Sequence, residues 1–189
     1  HVRLEIIDLV TGHQPMVQKN ASGTYAIVYN GEIYNMPELK KELEKEGVVF
    51  QTTSDTEVIL HGFMLHGEEY IKKLNGIFAI ALWDSGKKQL RLIRDRLGVK
   101  PLFYTWADTT LVFSSELKGL FAYPGVTPEL DRDGLCEVFA LGPAKSYGKG
   151  VFKGIQEILP GHCLTLGEDG VSEHAYWKLE SRPHTDSFE

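Results

Sequence analysis

Cysteine is scarce in this chain, which holds only Cys136 and Cys163. Two cysteines are too few for a disulfide framework, and a pair of buried thiols in a cytosolic protein is the economical reading. No apolar run approaches the length that crosses a bilayer, and the opening residues do not read as a signal peptide. Basic residues are not in excess. Twenty Lys and Arg face 26 Asp and Glu, a net charge of −6, and the cations form no stripe, which argues against a nucleic-acid partner. The seven histidines show no zinc spacing; His61 and His66 are five apart and do not share a helical face. Neither a G-x-x-x-x-G-K-S/T loop nor a G-x-G-x-x-G turn supports nucleotide binding, and no G-x-S-x-G elbow supports a serine hydrolase. There is no internal repeat. The expectation is a cytoplasmic globular protein without a metal site, a membrane span or a nucleic-acid partner.

What is present is a chain of 189 residues, 42% of them hydrophobic, enough for one domain with a sizeable core. It opens at His1, directly inside an apolar segment, and this predicts a fragment of a longer protein. The polar stretch 181–189 reads as the start of a linker after a domain over 1–180.

The stretch Tyr25-Ala26-Ile27-Val28-Tyr29 reads as a buried strand that stops at Asn30-Gly31. Asn-Gly is the strongest short hairpin signal, so a type I′ turn is one reading. The other follows from what comes next: Asn35-Met36-Pro37 resembles an N-cap with proline in the first turn of a helix over Pro37 to Glu46, leaving no returning strand. An exposed strand end there can aim a side-chain amide and a backbone N–H at one point, as a developing oxyanion requires. Ser54 with Glu57 three residues later predicts a capping box and a helix running toward Gly67, with Asp55 in its first turn. Asp55 there either complements the helix dipole or pairs with a substrate ammonium group. Arg3, on a strand predicted over Val2–Leu9, is either a surface residue or a carboxylate clamp.

Further strands are predicted at Val48-Val49-Phe50, Asn75–Trp83, Gln89–Arg94, Leu111-Val112-Phe113, and as a hairpin of Gly161–Leu166 with Val171–Trp177. The strand Asn75–Trp83 is apolar on both faces and should be covered on both sides. A short helix after Ser114-Ser115 and a second capped by Asp131 follow. The cluster Arg94-Asp95-Arg96 reads equally as a structural ion-pair network or as part of a site.

Eight segments in order resemble one family, the class II, N-terminal-nucleophile glutamine amidotransferases, and within it the asparagine synthetase branch. They are His1-Val2-Arg3-Leu4, Gly12-His13-Gln14-Pro15-Met16, Tyr29-Asn30-Gly31-Glu32-Ile33-Tyr34-Asn35, Ser54-Asp55-Thr56-Glu57, Gly76-Ile77-Phe78-Ala79, Arg94–Leu102, Ser114–Lys118 and Leu159-Pro160-Gly161-His162. The resemblance implies an α+β fold, a four-layer αββα sandwich lacking here the N-terminal strand with the nucleophile. It implies that Arg3 binds the glutamine α-carboxylate, and that the Asn30 side chain and the Gly31 N–H form the oxyanion hole. Glu32 and Asp55 then hold the α-ammonium group, and the backbone of Ile6 and Ile7 lines the pocket.

In the family a cysteine at the mature N-terminus attacks the carboxamide with its own amine as base. Neither Cys136 nor Cys163 matches it, so this chain is expected to be inactive alone. Glu5 stands where the family usually carries a small polar residue. Glutamine is the expected partner, together with an absent C-terminal synthetase domain that would use ATP and Mg; homodimerisation stays open. No cofactor is expected in this domain. The alternatives are an amidotransferase with another carboxylate acceptor, or a non-catalytic binding module of the same fold.

Overall fold

Side chains that alternate between two faces of one long strand, β2, set the layering of the structure, a computed structural model that describes residues 13–142, 146–181 and 183. In chain order the strands are β1 (Met16–Asn20), β2 (Gly23–Ile33), β3 (Gly76–Asp84), β4 (Gln89–Arg94), β5 (Phe103–Ala107), β6 (Thr110–Ser114), β7 (Gln156–Glu157), β8 (His162–Gly167) and β9 (Gly170–Ala175). The helices are α1 (Met36–Lys45), α2 (Asp55–His66), α3 (Leu117–Phe121) and α4 (Arg132–Leu141), with a 3-10 helix over Gly67–Lys73 after α2. The strands form a six-stranded sheet in the order β1-β2-β3-β4-β8-β9 and a three-stranded sheet in the order β6-β5-β7. Every strand pairing among the described residues is antiparallel.

Three apolar layers separate four layers of structure. Tyr25, Ile27, Tyr29 and Ile33 of β2 join Phe78, Ile80 and Leu82 of β3 against Leu39 and Leu43 of α1 and Val58, Ile59 and Phe63 of α2. The opposite face of the large sheet, with Ala79, Ala81, Leu92 and Leu164, packs on Leu102, Tyr104 and Ile158 beside the small sheet. Phe103 and Ile155 then meet Leu120 of α3. The result is an αββα sandwich, and β3 is covered on both sides as its composition predicts.

α2 is apolar nearly all round because it is buried between α1 and the large sheet. It ends at Gly67, whose φ of 63° suits a residue without a Cβ. The tripeptide Val48-Val49-Phe50 is not a strand. The Val48 N–H closes the end of α1 on the Leu43 carbonyl, Val49 is exposed, and Phe50 packs edge-on to His61. β propensity alone made no strand here, because no described neighbour offers a ladder. β1 and the two-residue β7 were not legible in the sequence; each is too short or too polar to show a period.

The Arg94-Asp95-Arg96 cluster is structural at its first two positions. Arg94 donates to the carbonyls of Lys100, Ile158 and Gly98 and lies 3.2 Å from Glu157. Asp95 accepts from four backbone N–H groups, those of Phe78, Leu97, Val99 and Lys100. Together they knot the loop from β4 to β5 onto β3.

Candidate active site along the open edge of strand β2

β2 does not stop at Asn30-Gly31. The strand runs on to Ile33, with Asn30 opposite Ala79, Gly31 opposite Phe78 and Glu32 opposite Ile77. Neither the hairpin turn nor the strand end is therefore what forms. Continued pairing with β3 outweighs the local turn preference of Asn-Gly, because turning there would forfeit the rest of the ladder.

Beyond Ile27 the other edge of β2 has no β1 partner, since that pairing reaches only from Asn20–Gly23 to Met16–Ile27. The Tyr34 N–H bonds the Asn75 carbonyl at 2.8 Å. Antiparallel ladders alternate, so the even residues of β2 bond toward β3, and the N–H groups of Tyr29, Gly31 and Ile33 all point to the edge that has no strand partner among the described residues. One of these has a side-chain partner: the Tyr29 N–H donates to Gln14 Oε1 at 2.7 Å, while the Ile33 backbone lies near enough to the Asp55 carboxylate to favour its charged form. The Gly31 N–H lies between them, about 7 Å along the strand from each.

Gly31 is required for a reason other than access to a ligand. A Cβ built there would stand 2.1 Å from the Ile77 carbonyl oxygen and 2.7 Å from the Phe78 Cα. Gly76 repeats this against the Glu32 carbonyl at 2.2 Å. The two glycines let β2 and β3 close tightly at this end.

Asp55 arrives from the first turn of α2. Ser54 is the N-cap, and its hydroxyl accepts the Thr56 N–H at 3.2 Å. Glu57 does not complete a capping box: its carboxylate reaches past the cap to accept the N–H groups of Gln51 and Thr52 and the Thr52 hydroxyl. Asp55 is only 7% exposed, and its Oδ2 accepts the Tyr29 hydroxyl at 2.7 Å. Burial pushes its carboxyl above the usual range, while the Tyr29 hydroxyl and the Ile33 N–H act in the other direction. Burial, and then the Asp55 charge, push the Tyr29 phenol well up; Glu32 adds to this from the same strand.

The structure thus brings Asn30, Gly31, Glu32 and Asp55 to one end of β2. Asn30 is exposed and Glu32 half-buried, on the face opposite Tyr29 and Ile33. Arg3, Ile6 and Ile7, with the strand predicted over Val2–Leu9, lie outside the described residues. Tyr29 and Gln14 were not singled out as site residues from sequence. The signal available was a hydroxyl on an otherwise apolar strand face, and an amide just before Pro15. A depression of about 250 Å³ beside the start of α2 is lined by His13, Pro15, Met16, Gln51, Thr52 and Glu57 among others. None of the four site residues lines it.

The two cysteines are elsewhere. Cys136 is exposed on α4. Cys163 is fully buried on β8, three strands from β2, and burial pushes its thiol up to about 12. A thiol so raised carries almost no thiolate at neutral pH.

A family model described as a glutamine amidotransferase domain matches residues 1–177. The chain is 48% identical over 189 residues to the glutamine-hydrolysing asparagine synthetase 3 of Bacillus subtilis strain 168, covering 100% of this chain and 31% of that protein. It is 36% identical over 182 residues to the amidase chry2 of Gibberella zeae, covering 95% of this chain and 26% of that protein. It therefore spans about a third or less of these relatives. The glutamine phosphoribosylpyrophosphate amidotransferase of B. subtilis, solved with ADP and GMP, superposes with a TM-score of 0.63 at 24% identity. That superposition covers 94% of this chain and 34% of the other, and it supports the fold. With the family model matching nearly the whole sequence, the chain belongs to the glutamine amidotransferase domain family.

Proposed function

We propose that this chain is the glutaminase domain of an asparagine synthetase, releasing ammonia from glutamine for the amidation of aspartate. The observation that carries this reading is a buried carboxylate, Asp55, hydrogen-bonded to the hydroxyl of Tyr29, two residues along β2 from Gly31. Free glutamine is a zwitterion with a carboxamide at its far end. Its recognition needs an anion for the ammonium group, a cation for the carboxylate, and donors where the carboxamide oxygen becomes an oxyanion. Asp55 and Glu32 serve the ammonium group, Arg3 serves the carboxylate with Ile6 and Ile7 lining the pocket, and Asn30 with Gly31 serves the oxygen. A fixed N–H aimed at developing charge stabilises the tetrahedral intermediate without reorganisation.

In this reading a cysteine thiolate adds to the carboxamide carbon. The C–N bond breaks as the nitrogen leaves protonated as ammonia, and water cleaves the thioester to glutamate. Cys163 is too buried and too distant for that role. Ammonia would pass to a C-terminal synthetase region that uses ATP and Mg. A second acceptor chemistry stays in view because one relative carries the name amidase. The acceptor is chosen outside this domain in either case.

The test is Asp55→Asn in the full-length protein. Truncating one side of a desolvated charge pair costs about 2–5 kcal/mol, so glutamine-dependent kcat/KM should fall ~30-fold or more. Asparagine formation from free ammonia should persist. Equal loss of both activities would assign Asp55 to the helix start alone.

A further inference from the structure

We propose that Tyr29 is a positioning residue for glutamine selection, its hydroxyl holding the Asp55 carboxylate in register with the Gly31 N–H. This rests on the glutaminase reading above. Packing does not account for the hydroxyl: Tyr29 sits on the apolar face of β2 among Ile27, Ile33 and Val58, where a phenylalanine ring would fill the same space. The phenol oxygen instead meets Asp55 Oδ2 at 2.7 Å, with both residues less than a tenth exposed.

The geometry ties two elements together. Asp55 belongs to α2 and Gly31 to β2, and nothing in either element alone fixes their separation. Tyr29 lies two residues before Gly31 on the same strand, and its hydroxyl fixes the carboxylate relative to that strand. Its own backbone is fixed in turn, because its N–H donates to Gln14 Oε1 at 2.7 Å. Gln14 also reaches the hydroxyl of Thr56, the residue after Asp55, at 3.4 Å. Gln14 therefore bridges the same two elements a second time.

The hydroxyl also has an electrostatic consequence. An ionised carboxylate offers about four acceptor positions. The Tyr29 hydroxyl takes one of them at 2.7 Å, and the backbone of Ile33, Thr56 and Asp55 also lies near the carboxylate. Hydrogen bonds donated to a carboxylate favour its charged form and oppose the effect of burial. Without the hydroxyl, Asp55 would be free to turn and would ionise less readily.

The experiment compares glutamine with 4-carbamoylbutanoate, the same molecule without its α-amine, as substrates of the full-length protein and its Tyr29→Phe and Asp55→Asn variants. Tyr29→Phe is expected to lower kcat/KM for glutamine roughly 10-fold, the scale of one hydrogen bond to a charged group, and chiefly through KM. The des-amino substrate should change less than about twofold, since it presents no ammonium group. A merely structural role would lower both substrates together, and that result overturns the proposal. So does no change in glutamine use while Asp55→Asn abolishes it, which leaves the glutaminase reading standing. Unimpaired glutamine use by Asp55→Asn overturns that reading itself.

Discussion

Asp95 holds the backbone of Phe78 from both sides: its N–H donates to the Phe78 carbonyl at 2.8 Å, and its carboxylate accepts the Phe78 N–H at 3.2 Å. Phe78 is the residue opposite Gly31 in the ladder. A carboxylate in the loop after β4 therefore fixes β3 at the point where β2 presents the candidate site.

Asp95→Asn should accordingly destabilise the fold. The carboxylate accepts four backbone N–H groups, two on each oxygen, and an amide nitrogen would face two of them as donor against donor. The expected loss is about 2–4 kcal/mol, from charge-assisted bonds broken and buried donors left unpaired. Urea unfolding of the variant checks it; a midpoint unchanged from that of the unsubstituted chain would refute it.

Gly31→Ala should be damaging in structure as well as in function. Its Cβ would meet the Ile77 carbonyl oxygen at 2.1 Å, and backbone on the facing strand cannot swing aside as a side chain can. Separating β2 from β3 should cost about 2–3 kcal/mol, the range for overpacking. Glutamine use should fall further than stability alone explains, because the 31 N–H moves with the strand. Thermal unfolding and glutaminase kinetics measured on the same sample separate the two effects.

The pH dependence of stability should carry the signature of Asp55. Burial raises its folded carboxyl above the unfolded value. The stability it contributes is therefore complete below about pH 4 and is lost as pH rises through the raised folded value. Asparagine cannot ionise. The unfolding midpoint of Asp55→Asn, relative to the unsubstituted chain, should climb as pH goes from about 4 to 7. A difference that falls over that range would mean that the carboxylate is net stabilised in the fold.

Glutamine should not be hydrolysed at normal turnover by the 189-residue chain as it stands. Residual orientation and oxyanion stabilisation can leave ~10³–10⁴-fold acceleration over water, which is far below a working hydrolase. Ammonia release should be the same in the Cys136→Ala and Cys163→Ala variants. Robust turnover that either substitution abolished would place the nucleophile on that cysteine.

The chain's residues by themselves determined most of the elements, while the four-layer arrangement was legible only through the family resemblance. The double-faced apolar run of β3, the amphipathic α1 with Leu39 and Leu43, the Ser54 cap and the hairpin of β8 with β9 are local patterns, and they form as periodicity and turn chemistry dictate. The expectation that Asn30, Gly31, Glu32 and Asp55 share a site came only from an ordered family resemblance, since no spacing in the chain relates Asp55 to Gly31. Tertiary structure decided what lies between them. Local preference at Asn30-Gly31 favours a turn, and the ladder to β3 overrides it because a turn there would forfeit the pairings of Asn30, Gly31, Glu32 and Ile33 with Ala79, Phe78, Ile77 and Gly76. Glu57 left its expected partner for the Gln51 and Thr52 backbone, a choice that only the folded loop makes available. The hydroxyl of Tyr29 and the amide of Gln14 acquired their roles in the same way. Each bonds a group 15 to 42 residues away in the chain, and sequence periodicity carries no information across such distances.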